Sequence, residues 1–121
     1  MIGGLVNAIR SLLSANADGK PTVRRSSRWP KVRAAHLAGN PTCAACGTKE
    51  RLEVHHILPF HLHPERELDP ANLLTLCEGD VVNCHLLFGH LRSWKSWNAF
   101  VRRDAADWLR RIRERPKGEP S

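Results

Sequence analysis

Residues 52–59 read Leu-Glu-Val-His-His-Ile-Leu-Pro and place two adjacent histidines near the end of an apolar run. This run predicts a β-strand over residues 52–58, which Pro59 then ends. Side chains alternate between the two faces of a strand. His55 and His56 can therefore reach one site only if the strand twists or ends there, and Pro59 favours such an end.

Four cysteines lie on either side of this strand. Cys43 and Cys46 form a C-x-x-C motif that Gly47 follows at once, and Cys77 and Cys84 form a second pair. The cytoplasm keeps thiols reduced, so four cysteines in an intracellular chain more often bind a metal than form disulfides. Four thiolates from two chain segments predict a closed, tetrahedral, structural zinc site. A redox C-x-x-C or free buried cysteines are the alternatives, and the second pair makes the redox motif less suitable.

The rest of the chain carries weaker signals for helices, strands and a linker. They predict a short amphipathic helix within residues 1–13, a polar linker over residues 14–27, a basic helix over residues 29–37, a second strand over residues 73–77, a helix over residues 81–91 and an amphipathic helix over residues 97–112. We expect the four tryptophans to pack in the core rather than stack on nucleic-acid bases, because amphipathic spacing is typical of core contact.

Length and charge restrict the class of protein. A chain of 121 residues with 41% hydrophobic residues forms one small domain. The net charge of +7 divides into +6 for residues 1–47, −4 for residues 48–90 and +5 for residues 91–121. Basic flanks around an acidic, histidine-rich centre suit a protein that binds a polyanion and holds a metal ion. A solvated surface explains the charge alone equally well. Residues 1–13 lack the basic start of a secretory signal, so we expect a cytoplasmic protein with no membrane partner.

The second strand region completes a recognisable pattern. Residues 69–77 read Asp-Pro-Ala-Asn-Leu-Leu-Thr-Leu-Cys, and residues 83–85 read Asn-Cys-His. Together with the C-x-x-C motif and the histidine pair, they make residues 28–97 resemble the HNH endonuclease family, in its zinc-stapled bacterial and phage branch. The resemblance implies a small α+β fold with a ββα-metal core, in which a helix crosses a two-stranded hairpin and a divalent metal is held between them. We accordingly divide the chain into an N-terminal helix and basic linker (residues 1–27), the nuclease core with its zinc knuckle (28–97), a C-terminal amphipathic basic helix packed on the core (98–115) and a disordered tail (116–121).

The resemblance also implies roles for individual residues. His56 would be the general base, and Asn72 would brace the catalytic loop and orient that base. His55 and His85 would hold one catalytic divalent metal, which could be Mn²⁺, Co²⁺, Ni²⁺, Mg²⁺ or Zn²⁺, so His85 counts as both catalytic residue and ligand. His90 is a further candidate ligand.

Two spacings depart from the family pattern. Six residues separate Cys77 from Cys84 where many members have two, so either residues 78–83 bulge out or the following helix starts later. His85 and His90 are five positions apart, which places them roughly 140° apart around an α-helix. His90 has an alternative role against a phosphate or the last helix.

The implied function is metal-dependent hydrolysis of DNA phosphodiester bonds with weak sequence preference. Water activated by His56 would attack a phosphate bound to the metal. The residues we expect to grip DNA phosphates are Arg24, Arg25, Arg28, Lys31 and Arg33. His61 and His63 either contact DNA or simply lie in the long loop of the hairpin. The competing hypothesis is a non-catalytic, zinc-stabilised module that binds DNA or a protein; partners in restriction or phage DNA packaging are compatible with the nuclease.

Overall fold

The computed structural model describes residues 13–15, 21–116 and 118. Its helices and strands are β1 (Leu13–Ala15), β2 (Pro21–Val23), α1 (Trp29–Gly39), β3 (Leu52–His56), β4 (Leu73–Cys77) and α2 (Val101–Glu114). A π-helical turn, His85–Gly89, follows β4, and two 3-10 turns, Pro64–Arg66 and Pro70–Asn72, lie between β3 and β4. The predicted small α+β class with a hairpin-and-helix core is confirmed.

The central hairpin positions the site. Strands β3 and β4 are antiparallel, with Leu52 opposite Cys77 and His56 opposite Leu73. All five residues of β4 are buried, and the π-helical turn packs against both strands. The long connection over residues 57–72 leaves β3 directly after His56. Leu58 ends the pairing, since its N–H donates to the side-chain Oδ1 of Asn72 at 2.8 Å rather than to β4. The strand is thus two residues shorter than predicted.

The hydrophobic core is small and lies between the hairpin, the cysteine turn and α2. Its buried members are Cys43, Ala45, Leu74, Leu76, Cys77, Cys84, Val101 and Ala105. Three of the eight are cysteines, and two more are alanines. A core with so few large aliphatic side chains contributes little burial free energy, so cross-linking by a metal would matter to this fold.

The segment predicted as a helix over residues 81–91 is helical only at His85–Gly89. Asn83 acts as its cap, because its Oδ1 accepts from Leu86 N at 2.9 Å and prevents an earlier start. The turn stops at Leu91 and Arg92, which have φ angles of 53° and 69° in the left-handed region. The prediction of a regular helix here is wrong at both ends.

The C-terminal helix begins at Val101, four residues later than predicted. Asn98 causes the delay: its Oδ1 accepts from Phe100 N at 3.0 Å, and its Nδ2 donates to Phe88 O at 3.1 Å. Residues 91–100 therefore form a loop that connects the π-helical turn to α2. The expectation of core tryptophans is also wrong for this region, where Trp94, Trp97 and Trp108 are 52%, 38% and 41% exposed.

The N-terminal part differs from the predicted linker. Strands β1 and β2 lie within it and pair in an antiparallel hairpin, with Ser14 opposite Thr22. The helix predicted within residues 1–13 lies outside the described residues, except for Leu13 at the start of β1. Helix α1 begins at Trp29 as predicted and ends at Gly39, two residues later than expected.

Candidate functional site

Four cysteine thiols meet beside the central hairpin. The Sγ atoms of Cys43, Cys46, Cys77 and Cys84 lie within 4.8 Å of one another, and those of Cys46 and Cys77 are 3.8 Å apart. Tetrahedral zinc with Zn–S bonds of about 2.3 Å separates its sulfurs by about 3.8 Å. The cluster has the size and the donor set of the structural zinc site that the sequence predicted.

The thiols of Cys43, Cys46 and Cys84 do not ionise independently. The hydrogen bond with Cys84 lowers the pKa of Cys43 to about 4, and the same contact together with burial raises the pKa of Cys84. Burial also raises the pKa of Cys46. One thiolate is thus favoured at the expense of its neighbours. A divalent cation at the centre would remove this conflict, because it stabilises every thiolate that binds it.

Backbone geometry brings the two cysteine pairs together. Gly47 has a φ of +80°, which a residue with a side chain adopts only with strain, and its N–H donates to Cys43 O at 2.9 Å. Ala44 N donates to Thr75 O at 2.9 Å, which fixes this turn on β4. Both alternatives for residues 78–83 occur together: the segment bulges out, and the helical turn starts later.

Three histidines form a second cluster at the other end of the hairpin. One ring nitrogen of each of His55, His85 and His90 lies within 4.8 Å of the other two. His55 Nδ1 and His85 Nε2 are 3.0 Å apart, and the three ring centroids are mutually 4.9 Å apart. The three rings meet at steep angles with their nitrogens close together, so they could act as three ligands of one metal ion.

The π-helical turn is what brings His85 and His90 together. His90 N donates to His85 O at 3.2 Å, a hydrogen bond from residue i+5 to residue i. The wider turn places residues five apart on one side of the helix axis, whereas an α-helix would separate them. The 140° separation that suggested another role for His90 assumed α-helical geometry, which does not apply here, and His90 lies beside His85 as the candidate ligand.

The surroundings of His55 and His85 disfavour the protonated form of both rings. His55 is 1% exposed, and burial together with His85 lowers its pKa to about 3. Burial likewise lowers the pKa of His85. His55 Nδ1–H can donate to His85 Nε2 at 3.0 Å while both rings are neutral, and a metal ion bound between the rings would replace this proton. A divalent metal ion fits this donor set, since neutral imidazole is a good ligand for Mn²⁺, Co²⁺, Ni²⁺ and Zn²⁺.

Contacts behind the rings fix which nitrogens face the cluster. His85 Nδ1 lies 3.3 Å from Glu78 Oε2, and His90 Nδ1 lies 2.7 Å from Ser96 O. In each case Nδ1–H donates outwards and leaves Nε2 free to accept a metal. Gly89 makes room for the third ring, because a Cβ at this position would lie 2.9 Å from His55 Cε1.

His56 points to the opposite face of β3. It is 9% exposed; its Nε2 lies 2.9 Å from Glu67 O, and the indole of Trp29 packs on its ring with centroids 4.5 Å apart. Nε2–H therefore donates to the carbonyl, which leaves the lone pair on Nδ1. Burial lowers the pKa of His56, so the ring is neutral near neutral pH. Both His55 and His56 line one cavity of about 270 Å³, since the strand ends at this point.

Asn72 holds the long loop together from the start of β4. Its Oδ1 accepts from Leu58 N at 2.8 Å, and its Nδ2 donates to Leu58 O at 3.2 Å and to Arg66 O at 3.1 Å. The side chain is 1% exposed. Asn72 thus fixes the backbone that runs from His56 to Glu67.

The five basic residues predicted to bind DNA phosphates have different surroundings. Arg25 lies 3.5 Å from the buried carboxylate of Glu67, its guanidinium covers the ring of Phe60 at 4.2 Å, and it lines the histidine cavity. Arg33 forms an ion pair with Glu53 at 3.1 Å, which offsets its charge. The remaining three, Arg24, Arg28 and Lys31, have exposed side chains.

His61 and His63 separate in the structure. His61 lines the cavity with His55 and His56. His63 Nδ1 instead lies 3.3 Å from Glu65 Oε1, next to the 3-10 turn. Only His61 is therefore placed near the cluster.

Residues 43–89 match the family model described as HNH endonuclease. The chain contains an HNH endonuclease domain. The matched stretch begins at the first cysteine of the zinc-type cluster and ends one residue before His90. No significant match was found among curated proteins or among solved structures. Within the described residues, no helix is long and apolar enough to cross a membrane.

Sequence reasoning missed several residues that support the HNH site. Glu78 contacts His85 from within the bulged segment, and its position directly after Cys77 gave no signal of this. Arg102 of α2 donates to Ala71 O at 3.1 Å and Leu73 O at 3.2 Å. It thereby holds the backbone on both sides of Asn72. These contacts join distant segments, so spacing along the chain does not reveal them.

We expect Gly89→Ala to weaken metal binding at the histidine cluster of the HNH domain. The added Cβ would press on the buried ring of His55 at 2.9 Å, and the ring has little room to move. Calorimetric titration with Mn²⁺ should show affinity reduced by about tenfold or more, which corresponds to roughly 1.4 kcal/mol or more. Gly39→Ala is the matched control, because a Cβ there meets nothing within 4 Å. Unchanged Mn²⁺ affinity in folded Gly89→Ala protein would show that metal binding by His55 does not need the space left by the missing Cβ at position 89.

Proposed function

We propose that this HNH domain is a metal-dependent endonuclease that hydrolyses DNA phosphodiester bonds with weak sequence preference. The observation that carries the proposal is the shared cavity: the cluster of His55, His85 and His90 and the neutral ring of His56 line the same space. A phosphodiester resists attack by water because of its negative charge, so a catalyst needs both a cation and a base. The cavity offers residues for both.

His56 is proposed as the base. The carbonyl of Glu67 fixes the tautomer with a free Nδ1 lone pair, at a Nε2 to oxygen distance of 2.9 Å. Nδ1 would take the proton from the attacking water, the water oxygen would form the new bond to phosphorus, and the bond from phosphorus to O3′ would break. O3′ then takes a proton from solvent. Burial lowers the pKa of His56, which keeps the accepting form available.

The three clustered histidines are proposed to hold the divalent metal. When bound, such an ion offsets charge on a non-bridging phosphate oxygen and on the leaving O3′. Glu78 and the carbonyl of Ser96 orient the rings of His85 and His90 for this purpose. Asn72 is proposed to keep the loop between His56 and Glu67 in place, since it bonds to that loop at three points.

Basic residues at the N-terminal side are proposed to hold the DNA backbone. Arg25 is the best placed, because Glu67 and Phe60 hold its guanidinium at the wall of the cavity. Arg24, Arg28 and Lys31 would extend this phosphate contact along the strand. Contacts of this kind carry little base information, which supports weak sequence preference. Restriction and phage DNA packaging are two settings compatible with this activity.

The test is a plasmid-nicking assay with added metals. We expect supercoiled plasmid to be cut faster with Mn²⁺, Co²⁺ or Ni²⁺ than with Mg²⁺ at equal low concentration, by about tenfold, because the site offers three imidazoles. A chelated sample that still holds its cysteine-bound zinc and still melts cooperatively is the control. A clear Mg²⁺ preference would count against His55 as a ligand. If the folded protein binds plasmid but does not cut it with any of these metals, the result would favour the non-catalytic binding module.

A further inference from the structure

Trp94 stands at the rim of the histidine cavity with its indole open to solvent. Its side chain is 52% exposed, and its ring centroid lies 5.2 Å from that of His85 and 4.9 Å from that of His90. The indole meets the two imidazoles at steep angles, 72° to His85 and 57° to His90, rather than stacking flat on either ring. The rest of the ring is available to a flat partner beside the place where a phosphate would be cut.

The loop that carries Trp94 is held firmly. Leu91 and Arg92 both adopt left-handed backbone angles without being glycine, which is a strained arrangement that only firm surroundings maintain. Arg92 N donates to Leu86 O at 2.8 Å, and Ser96 N donates to Ser93 O at 2.8 Å. Ser96 O in turn receives His90 Nδ1–H. The backbone that carries the indole is thus held in place, so a ligand that stacks there need not order the loop first.

The cavity has the size and charge for a single nucleotide. Its volume is about 270 Å³, close to the lower end of ordinary small-molecule pockets and far too small for a double helix. Arg25 and Lys95 line it, and so do aromatic rings of Phe60, Trp94 and Trp97. Among the described residues that line it there is no carboxylate. Cations with aromatic faces are the combination that binds single-stranded nucleic acid through its phosphates and its bases.

We propose that Trp94 is a stacking platform for an unpaired base of DNA next to the scissile phosphate, so that this HNH domain prefers strands with unpaired nucleotides to fully paired duplex. The proposal rests on the endonuclease function proposed above. In paired DNA a base must first leave the stack, and that cost is already met at a mismatch, a bulge or a single strand. The expected preference arises from stacking and is independent of base identity, because every base has a flat aromatic face.

The experiment measures binding and cleavage separately on two labelled DNAs of the same sequence, one fully paired and one with a single bulged nucleotide. The parent protein is expected to bind and cut the bulged DNA about tenfold better. Trp94→Ala should bring the two DNAs to within about twofold of each other, and Trp94→Phe should keep part of the preference. Trp108→Ala is the matched control, since Trp108 is 41% exposed but packs on Phe88, outside the cavity. It should keep the full preference.

Two further measurements distinguish failure of the stacking platform from failure of the proposed endonuclease function. Binding is repeated with His56→Ala protein, which should keep the preference for bulged DNA whether or not the domain cuts. If this preference is present but no DNA is ever cut, the endonuclease function fails and the stacking platform stands. Equal affinity of the parent for both DNAs overturns the platform. So does a Trp94→Ala variant that loses Mn²⁺ affinity and keeps its preference for the bulge, because Trp94 would then only cover His85 and His90.

Discussion

Replacing His56 by alanine is expected to slow plasmid cleavage by about 10²- to 10⁴-fold while DNA affinity stays close to that of the parent protein. The change removes the proposed proton acceptor. It leaves the three clustered histidines, the four cysteines and the exposed arginines in place. Since the ring is 9% exposed and packs against Trp29, a melting curve must show that the variant is folded before rates are compared.

A matched control for this variant is His63→Ala, which removes an imidazole from the following loop. His63 contacts Glu65 on the protein surface, and its loss should change the cleavage rate by less than about threefold. The double variant Arg24→Ala, Arg25→Ala should behave in the opposite way to His56→Ala: weaker binding to all sequences and a shallower dependence of affinity on salt. Folded His56→Ala protein that cuts as fast as the parent would remove His56 from the mechanism.

Cys43→Ser is expected to release the structural metal and to lower the free energy of unfolding by several kcal/mol, on the order of what structural zinc contributes to small domains. The fold has few other sources of stability, because three of its eight core residues are themselves the cysteines of the cluster. Elemental analysis should show the loss of one tightly bound zinc per chain. The thermal midpoint should fall strongly or the cooperative transition should disappear.

Ala44→Ser is the control for this variant. It adds a hydroxyl to the same turn but removes no thiolate, so zinc content should stay the same and the thermal midpoint should change little. Unchanged zinc and unchanged melting in Cys43→Ser protein would show that the four thiols are an ordinary part of the core.

The sequence predicted the parts of the site that depend on residue type and spacing. The C-x-x-C motif with a second cysteine pair predicted one cluster, and all four thiols meet. The resemblance to HNH endonucleases implied His55 and His85 as ligands of one ion; their ring nitrogens lie 3.0 Å apart, and their role as ligands stays a prediction. These features were accessible because metal ligands must be of a few residue types and must converge on one point.

The sequence did not predict features in which side-chain hydrogen bonds to the backbone replace the regular hydrogen bonds of a helix. The helix expected over residues 81–91 assumed α-helical hydrogen bonds, whereas capping by Asn83 and the left-handed Leu91 leave a single wider turn. The amphipathic spacing suggested a helical core position for Trp97. The helix α2 begins only at Val101, because the Asn98 side chain bonds to Phe88 O and holds residues 91–100 in a loop. The polar linker similarly gave no sign of strand pairing, since β1 and β2 have three residues each and a weak pattern.

The bulged segment between the second pair of cysteines links the two metal clusters through neighbouring residues. Cys77 is followed directly by Glu78, whose carboxylate orients His85, and His85 itself follows Cys84. The segment begins and ends at thiols of the cysteine cluster, so the position of these thiols is coupled to the position of Glu78 and His85. A substitution that disturbs the cysteine cluster is therefore expected to change the orientation of the His85 ring as well.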